Sequence, residues 1–274
     1  MTPAPASAYT STDDFTFQAS ELTRGPWSAE HQHAGPPSAL VCRAIERAAA
    51  PRGLTHLGRL TVNLLRPVPI GALTIDVRED YGGRNAAHFS ARLVADGKDI
   101  ALFTALMQRE DDVPVPAGTA GHPLPAPPRS PEASVAATMP FGRRHIGYGN
   151  LVETRVAAGK FFDGPCAAWF RLRYPLLNDE TPSPYQCVAV AADSGNGISA
   201  ALDFARYSFV NCDLTINLLR RPVGTWICLD ARTELGGNGC GVAASVLYDE
   251  TGLIGRATQS LAVRPRAPAP PAAT

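Results

Sequence analysis

The chain repeats itself. Residues 60–66 read LTVNLLR and residues 214–220 read LTINLLR, an offset of 154. At the same offset Gly82-Gly83 falls on Gly236-Gly237, and Asp96-Gly97 falls close to the Asp249–Gly252 turn. A chance seven-residue match would not keep later landmarks in register, so the sequence predicts two copies of one structural unit. A length of 274 residues suits two units of ordinary domain size. The expected division is a flexible N-terminus (1–14), a first unit (15–110), a Pro-rich linker (111–140), a second unit (141–264) and a disordered tail (265–274). Seven prolines in 111–131 mark the linker as extended, without a core of its own.

Each copy carries the period of two-faced strands. Leu60, Val62 and Leu64 alternate with Thr61 and Asn63; Leu73, Ile75 and Val77 alternate with Thr74, Asp76 and Arg78. In the second copy Ile227, Leu229 and Ala231 alternate with Cys228, Asp230 and Arg232. Such strands, joined by Gly-rich turns, form an antiparallel sheet with one packed face. A helix precedes each set. Gly35-Pro36-Pro37-Ser38 is a start signal for Val41, Ala44, Ile45 and Ala48 at helical spacing. Pro182-Ser183-Pro184 does the same for Tyr185, Val188, Ala189 and Ala192, and Ser194-Gly195-Asn196-Gly197 reads as the stop. This second helix has almost no charged face before Asp193, so it is expected to be buried on most sides. One buried helix plus a long antiparallel sheet, twice over, implies a sheet wrapped around a helix.

Composition narrows the function. Lys plus Arg and Asp plus Glu are 25 each, which argues against a nucleic-acid footprint or a polybasic membrane anchor. No apolar run approaches the roughly 18 residues of a membrane span, and the first 20 residues lack the pattern of a signal peptide. The six cysteines are far apart with no CxxC pair, as expected of reduced thiols in the cytoplasm. There is no GxSxG, no GxGxxG after a strand and no P-loop. All six histidines precede residue 150; His31-Gln32-His33 has only Glu30 beside it, with no Cys, and reads as loop, so no metal or other cofactor is expected.

Three stretches, taken in order and spacing, carry a resemblance. They are His33-Ala34-Gly35-Pro36-Pro37-Ser38-Ala39-Leu40; Ala191-Ala192-Asp193-Ser194-Gly195-Asn196-Gly197, with Phe209 to Thr215 and Arg220-Arg221-Pro222 downstream; and Gly255-Arg256-Ala257-Thr258-Gln259-Ser260-Leu261. Over about 15–264 the chain resembles the acyl-CoA thioesterase II family and its thioesterase-like relatives. The resemblance implies an α+β double hotdog, two tandem helix-wrapped antiparallel sheets forming one pseudo-dimer. It also implies cofactor-free hydrolysis of an acyl-CoA, or another acyl thioester, to acid and thiol, in fatty acid metabolism, and leaves a homo-oligomer open. In that family an Asp at the end of the second helix, a Ser or Thr on the next strand and a Gln on the final strand hold the attacking water. The Asp falls on Asp193, the Gln on Gln259 and the Ser/Thr on Asn211, a departure, since an amide is neither nucleophile nor proton relay.

Each of these residues also has a purely structural explanation. Asp193, in the last turn of a helix, faces the negative end of the macrodipole, which a structural role would avoid unless it caps the following turn. Gln259 either donates to water or faces solvent, and Asn211 suits local backbone bonding. Gly35 opens a helix whose free N–H groups suit a thioester oxyanion, although Gly-Pro-Pro is also a plain helix start. His33 stands beside it as a substrate contact. Asp213, matched in copy one by Arg59, is either a substrate contact or the partner of an Arg such as Arg220. Two other functions compete with hydrolysis. One is a catalytically weak acyl-thioester-binding protein, which Asn211 keeps open. The other is a hotdog hydratase or dehydratase, disfavoured because its Asp is followed by a His five residues on, where this chain has Ile198. At the 154 offset Gln259 falls on Ala105, so one working site per chain is expected, built by the second copy and completed near Gly35. Glu46, late in the first helix, is expected to be dispensable.

Overall fold

A computed structural model describes residues 5–119, 124–139 and 145–266. The N-terminal half contributes β1 (Tyr9–Ser11), β2 (Thr16–Ala19), α1 (Gly35–Ala49), β3 (His56–Leu64), β4 (Ala72–Gly82), β5 (Ala86–Ala95) and β6 (Lys98–Gln108). The C-terminal half contributes β7 (Val135–Ala137), α2 (Tyr148–Leu151), β8 (Val152–Gly159), β9 (Cys166–Leu172), α3 (Pro184–Ala192) and α4 (Gly195–Ile198). It continues through β10 (Tyr207–Asn211), β11 (Asp213–Leu218), β12 (Ile227–Leu235), β13 (Cys240–Asp249) and β14 (Gly252–Pro265). The strands form one 14-stranded sheet in the order β1-β2-β4-β5-β6-β3-β11-β14-β13-β12-β9-β8-β7, with β10 also paired to β14.

The repeated heptapeptide lies at the centre of this order because it pairs with its own copy. β3 and β11 run antiparallel with Thr61 opposite Thr215, two positions related by the 154 offset. Their hydroxyls are 3.3 Å apart, which places a pseudo-two-fold axis between them. On one face Leu60, Val62, Leu214 and Ile216 are buried in the core. Against that face lie α1 and α3, packed antiparallel. The start of α1 meets Val190 near the end of α3, and Glu46 near the end of α1 meets Ser183 and Gln186 at the start of α3. The expectation of a mostly buried second helix holds, since Tyr185, Gln186 and Val188 to Ala192 are all buried. This is the α+β double hotdog, two helix-wrapped antiparallel sheets joined edge to edge.

Four expectations change. Residues 9–11 are not a flexible arm: β1 pairs with β2, Tyr9 is fully buried and its hydroxyl donates to Gln32 Oε1 at 2.6 Å. The linker is not free of partners. In β9, Cys166, Ala168 and Phe170 join the main core, while Ala167 and Trp169 belong to a second apolar cluster with Trp226 and Tyr248. Alternation puts that second cluster on the outer face of the sheet. The linker crosses it, accepting from Trp169 Nε1 at Arg129 O (2.8 Å) and from Arg155 at Pro131 O (2.9 Å), and then forms β7 against β8. The tail begins later than expected, because β14 reaches Pro265 and Arg266 N–H donates to Arg206 O; residues 267–274 lie outside the described residues. Finally, Ser194 to Gly197 does not merely stop α3 but leads into the single turn of α4. No helix among the described residues is long and apolar enough to cross a membrane.

Candidate active site

Asp193 is the C-cap of α3 and is 8% exposed, an expensive place for a carboxylate at the negative end of a helix. Three side chains offset that cost. Asn211, the last residue of β10, donates from Nδ2 to Oδ1 at 2.8 Å. Gln259 points inward from β14 and is 2% exposed; its Nε2 lies 3.2 Å from Asp193 O and 3.4 Å from Oδ1. His33, from the loop ahead of α1, places Nδ1 3.0 Å from Oδ2.

The orientation of Gln259 is fixed by its far end, where Oε1 accepts from Asn196 N–H at 2.8 Å. The amide therefore presents its donor to Asp193. Gly195 permits this arrangement, because a Cβ there would press on Ser245 Oγ and on Gln259 Oε1. Asn196 is 4% exposed, and its Oδ1 is buried with no protein partner.

The start of α1 completes the cluster. Of its first N–H groups, the prolines at 36 and 37 have none and Ser38 N–H is spent on Ala34 O. That leaves Gly35 N–H, 3.2 Å from His33 Nδ1. One ring nitrogen cannot accept from Gly35 and donate to Asp193 together. The shorter, charge-assisted contact assigns the Nδ1 proton to Asp193, so the Gly35 N–H faces the ring edge without a lone pair there to donate to. Gly35 also has a packing requirement, since any Cβ would run into Val190 O. Burial pushes the His33 pKa down against the opposing pull of Asp193, which favours the neutral ring.

Beneath His33 lies Tyr148 of α2, its ring stacked at 3.7 Å and 2° from parallel. The phenol contacts Val190 O at 3.0 Å and Ser194 Oγ at 2.8 Å, and burial raises its pKa so that it keeps its proton. Above the cluster opens a cavity of about 690 Å³. Asp193, His33, Asn196 and Asn211 line it together with apolar walls that include Trp27, Val68, Met139, Phe162 and Val210. Such a lining suits a ligand with an apolar arm and a polar group at the floor.

The structure thus gathers Asp193, Asn211, Gln259, His33 and Gly35 at one point. Asp213 does not line the cavity: its carboxylate accepts from Ser260 N–H (2.6 Å) and lies 3.1 Å from Ser260 Oγ. Nor does it pair with Arg220, which instead grips Asp249 through two bonds of 2.6 and 2.7 Å. Tyr148 was not singled out in the sequence, and Asn196 was read only as part of the turn that ends the second helix. At the 154 offset Tyr148 has no counterpart in the first copy, so the repeat could not flag it.

Family models match both halves: residues 23–108 match an acyl-CoA thioesterase N-terminal domain, and residues 119–263, more than half of the chain, an acyl-CoA thioesterase C-terminal domain. No curated protein matches the sequence. Among solved structures, a hot dog protein of unknown function from Alicyclobacillus acidocaldarius is 18% identical, with a TM-score of 0.71 over 96% of this chain and 97% of that one. The tesB protein of Mycobacterium avium subsp. paratuberculosis is 16% identical, with a TM-score of 0.67 over 94% and 96%. An acyl-CoA thioesterase II from Mycobacterium marinum is 15% identical, with a TM-score of 0.65 over 96% and 97%. At these identities the structures speak for the fold, and the two domain matches speak for the family: the chain belongs to the acyl-CoA thioesterases.

Proposed function

We propose that this chain hydrolyses an acyl-CoA thioester with a water molecule activated at Asp193. The observation that carries the reading is the convergence of three donors on one buried carboxylate at the floor of the cavity. Water attacks the thioester carbonyl carbon and gives its proton to Asp193; the C–S bond then breaks, and the sulfur leaves with that proton as the thiol. Asn211 and Gln259 hold Oδ1, so the remaining lone pair of Oδ2 is the one directed at water, and His33 sets the angle of the carboxylate. The positive end of α1, which Gly35 begins beside His33, favours the negative charge that develops on the thioester oxygen. In this scheme Asn211 replaces the expected hydroxyl as a donor to Asp193 and needs no proton relay of its own.

The test is a panel of straight-chain acyl-CoAs of increasing length, with release of free thiol followed optically. Turnover that disappears in Asp193→Asn supports the reading. Saturable binding without turnover supports the alternative, an acyl-thioester-binding protein, for which the already occupied Oδ1 speaks. Neither binding nor turnover refutes both.

A further inference from the structure

We propose that Tyr148 is a positioning residue that locks the His33–Asp193 pair from both sides; the inference rests on that pair serving the hydrolysis proposed above. A stack at 3.7 Å and 2° leaves the imidazole no freedom to tilt, so Nδ1 stays aimed at Asp193 Oδ2. The same side chain holds the other member. Its hydroxyl donates to Val190 O, one of the last carbonyls of α3 that has no partner within the helix, and it accepts from Ser194 Oγ, the residue after Asp193. One residue therefore fixes both the ring and the turn that presents the carboxylate.

Tyr148 is itself anchored to the other half of the molecule. Its N–H donates to Arg24 O at 2.8 Å, and the Arg24 guanidinium returns a bond to Ile146 O at 2.7 Å. Gly147 makes this possible, since a Cβ there would come within 2.8 Å of Arg24 O. The loop that Arg24 opens leads to His33, whose N–H donates to Thr23 O at 2.8 Å. The first half thus brings the ring, the second half brings the carboxylate, and the segment following the linker brings the residue that registers one against the other. Tyr148 is 4% exposed, borders the cavity, and acts on the His33–Asp193 pair through these contacts.

The test uses the full chain with Tyr148→Phe and Tyr148→Leu. Phe keeps the stack and loses the two bonds of the hydroxyl, so kcat should fall about tenfold at an unchanged KM. Leu loses both, and kcat should fall about a hundredfold, the scale of a misplacement near 1 Å, again with KM within twofold. A second readout does not depend on activity: with ¹⁵N-labelled histidine, the Nδ1–H signal of His33, recognised by its absence in His33→Gln, should persist in Tyr148→Phe and vanish in Tyr148→Leu. If the signal vanishes as expected while the wild type hydrolyses no thioester, the positioning role stands and the hydrolytic reading falls. A Tyr148→Leu chain that keeps both the signal and wild-type kcat overturns the proposal. Should that variant fail to fold, Tyr148→Phe decides alone, and a wild-type kcat overturns it.

Discussion

Replacing Asp193 by Asn is the most incisive perturbation. The carboxylate offers acceptors to Asn211 Nδ2, Gln259 Nε2 and His33 Nδ1 at once. An asparagine has one oxygen and one NH₂, so either amide orientation sets a donor against a donor, toward His33 or toward Asn211. The broken charge-assisted bond costs about 2 kcal/mol, well inside the 5–15 kcal/mol of an ordinary domain. The variant should therefore fold. Loss of a general base lowers turnover by roughly 10²–10⁴-fold, equivalent to about 2.7–5.5 kcal/mol of barrier. Turnover by thiol release, measured beside the melting temperature, separates chemistry from unfolding. Glu46→Gln is the paired control. That carboxylate also accepts three bonds, from Ser183, Gln186 and Cys42, but it lies at the opposite end of the α1/α3 pair. Its variant should retain turnover. Lost activity in Glu46→Gln with retained activity in Asp193→Asn would refute the placement of the site.

Three further outcomes are expected. Gly35→Ala forces a methyl against Val190 O and should destabilise by about 1–3 kcal/mol, read as a lowered midpoint in urea. Asn211→Ala removes the 2.8 Å donor to Asp193 and should lower kcat about tenfold, roughly 1.4 kcal/mol, with KM nearly unchanged. Asp249 is pushed up by burial but pulled down further by hydrogen bonds, first from Arg220, to a pKa of about 2. The unfolded value is near 3.9. Because the folded value is the lower one, this stabilisation, of order 2 kcal/mol, is complete above about pH 4 and lost as pH falls toward 2. Arg220→Met should cost about 3–5 kcal/mol at neutral pH by leaving a buried carboxylate unpaired. A urea midpoint unchanged by that substitution would contradict the role given to the pair.

What the sequence disclosed follows from symmetry. LTxNLLR was legible because a segment on a two-fold axis pairs with its own copy, and alternation within it fixes which face is buried. The helices were legible from Pro and Gly punctuation, and Asp193 stood out as a charge where a helix end disfavours one. Three features were hidden. The pairing of Arg220 with Asp249 instead of Asp213 depends on cross-strand register, which local sequence does not specify. The docking of the linker on Trp169 depends on an outer face that β9 keeps apolar, whereas proline content alone indicated an extended connector without a core of its own. Tyr148 lies in the second unit ahead of the part that the first copy matches, so no comparison of copies could find it.

The pseudo-two-fold axis also sharpens the question of how many sites the chain carries. Symmetry supplies two ends to the α1/α3 pair, but the polar groups occupy only one. Where β14 has Gln259, the matching strand has Ala105, and where β10 has Asn211, the matching position is Leu57; both are buried in the core. At that second end Glu46 Oε2 collects Ser183 Oγ at 2.8 Å and Gln186 Nε2 at 2.9 Å, and burial raises its pKa. The acid is thus tied into the helix pair by groups that hold the fold, and its Gln partner comes from the start of α3 and not from a strand facing it as Gln259 faces Asp193. A site needs the carboxylate, its donors and an opening together, and only the Asp193 end lies on the 690 Å³ cavity. Calorimetric titration with a non-hydrolysable acyl-CoA thioether should therefore give one ligand per chain, and Asp193→Asn should perturb that one event. Two equivalent sites per chain would show that the halves act alike and that the asymmetry in polar groups does not govern binding.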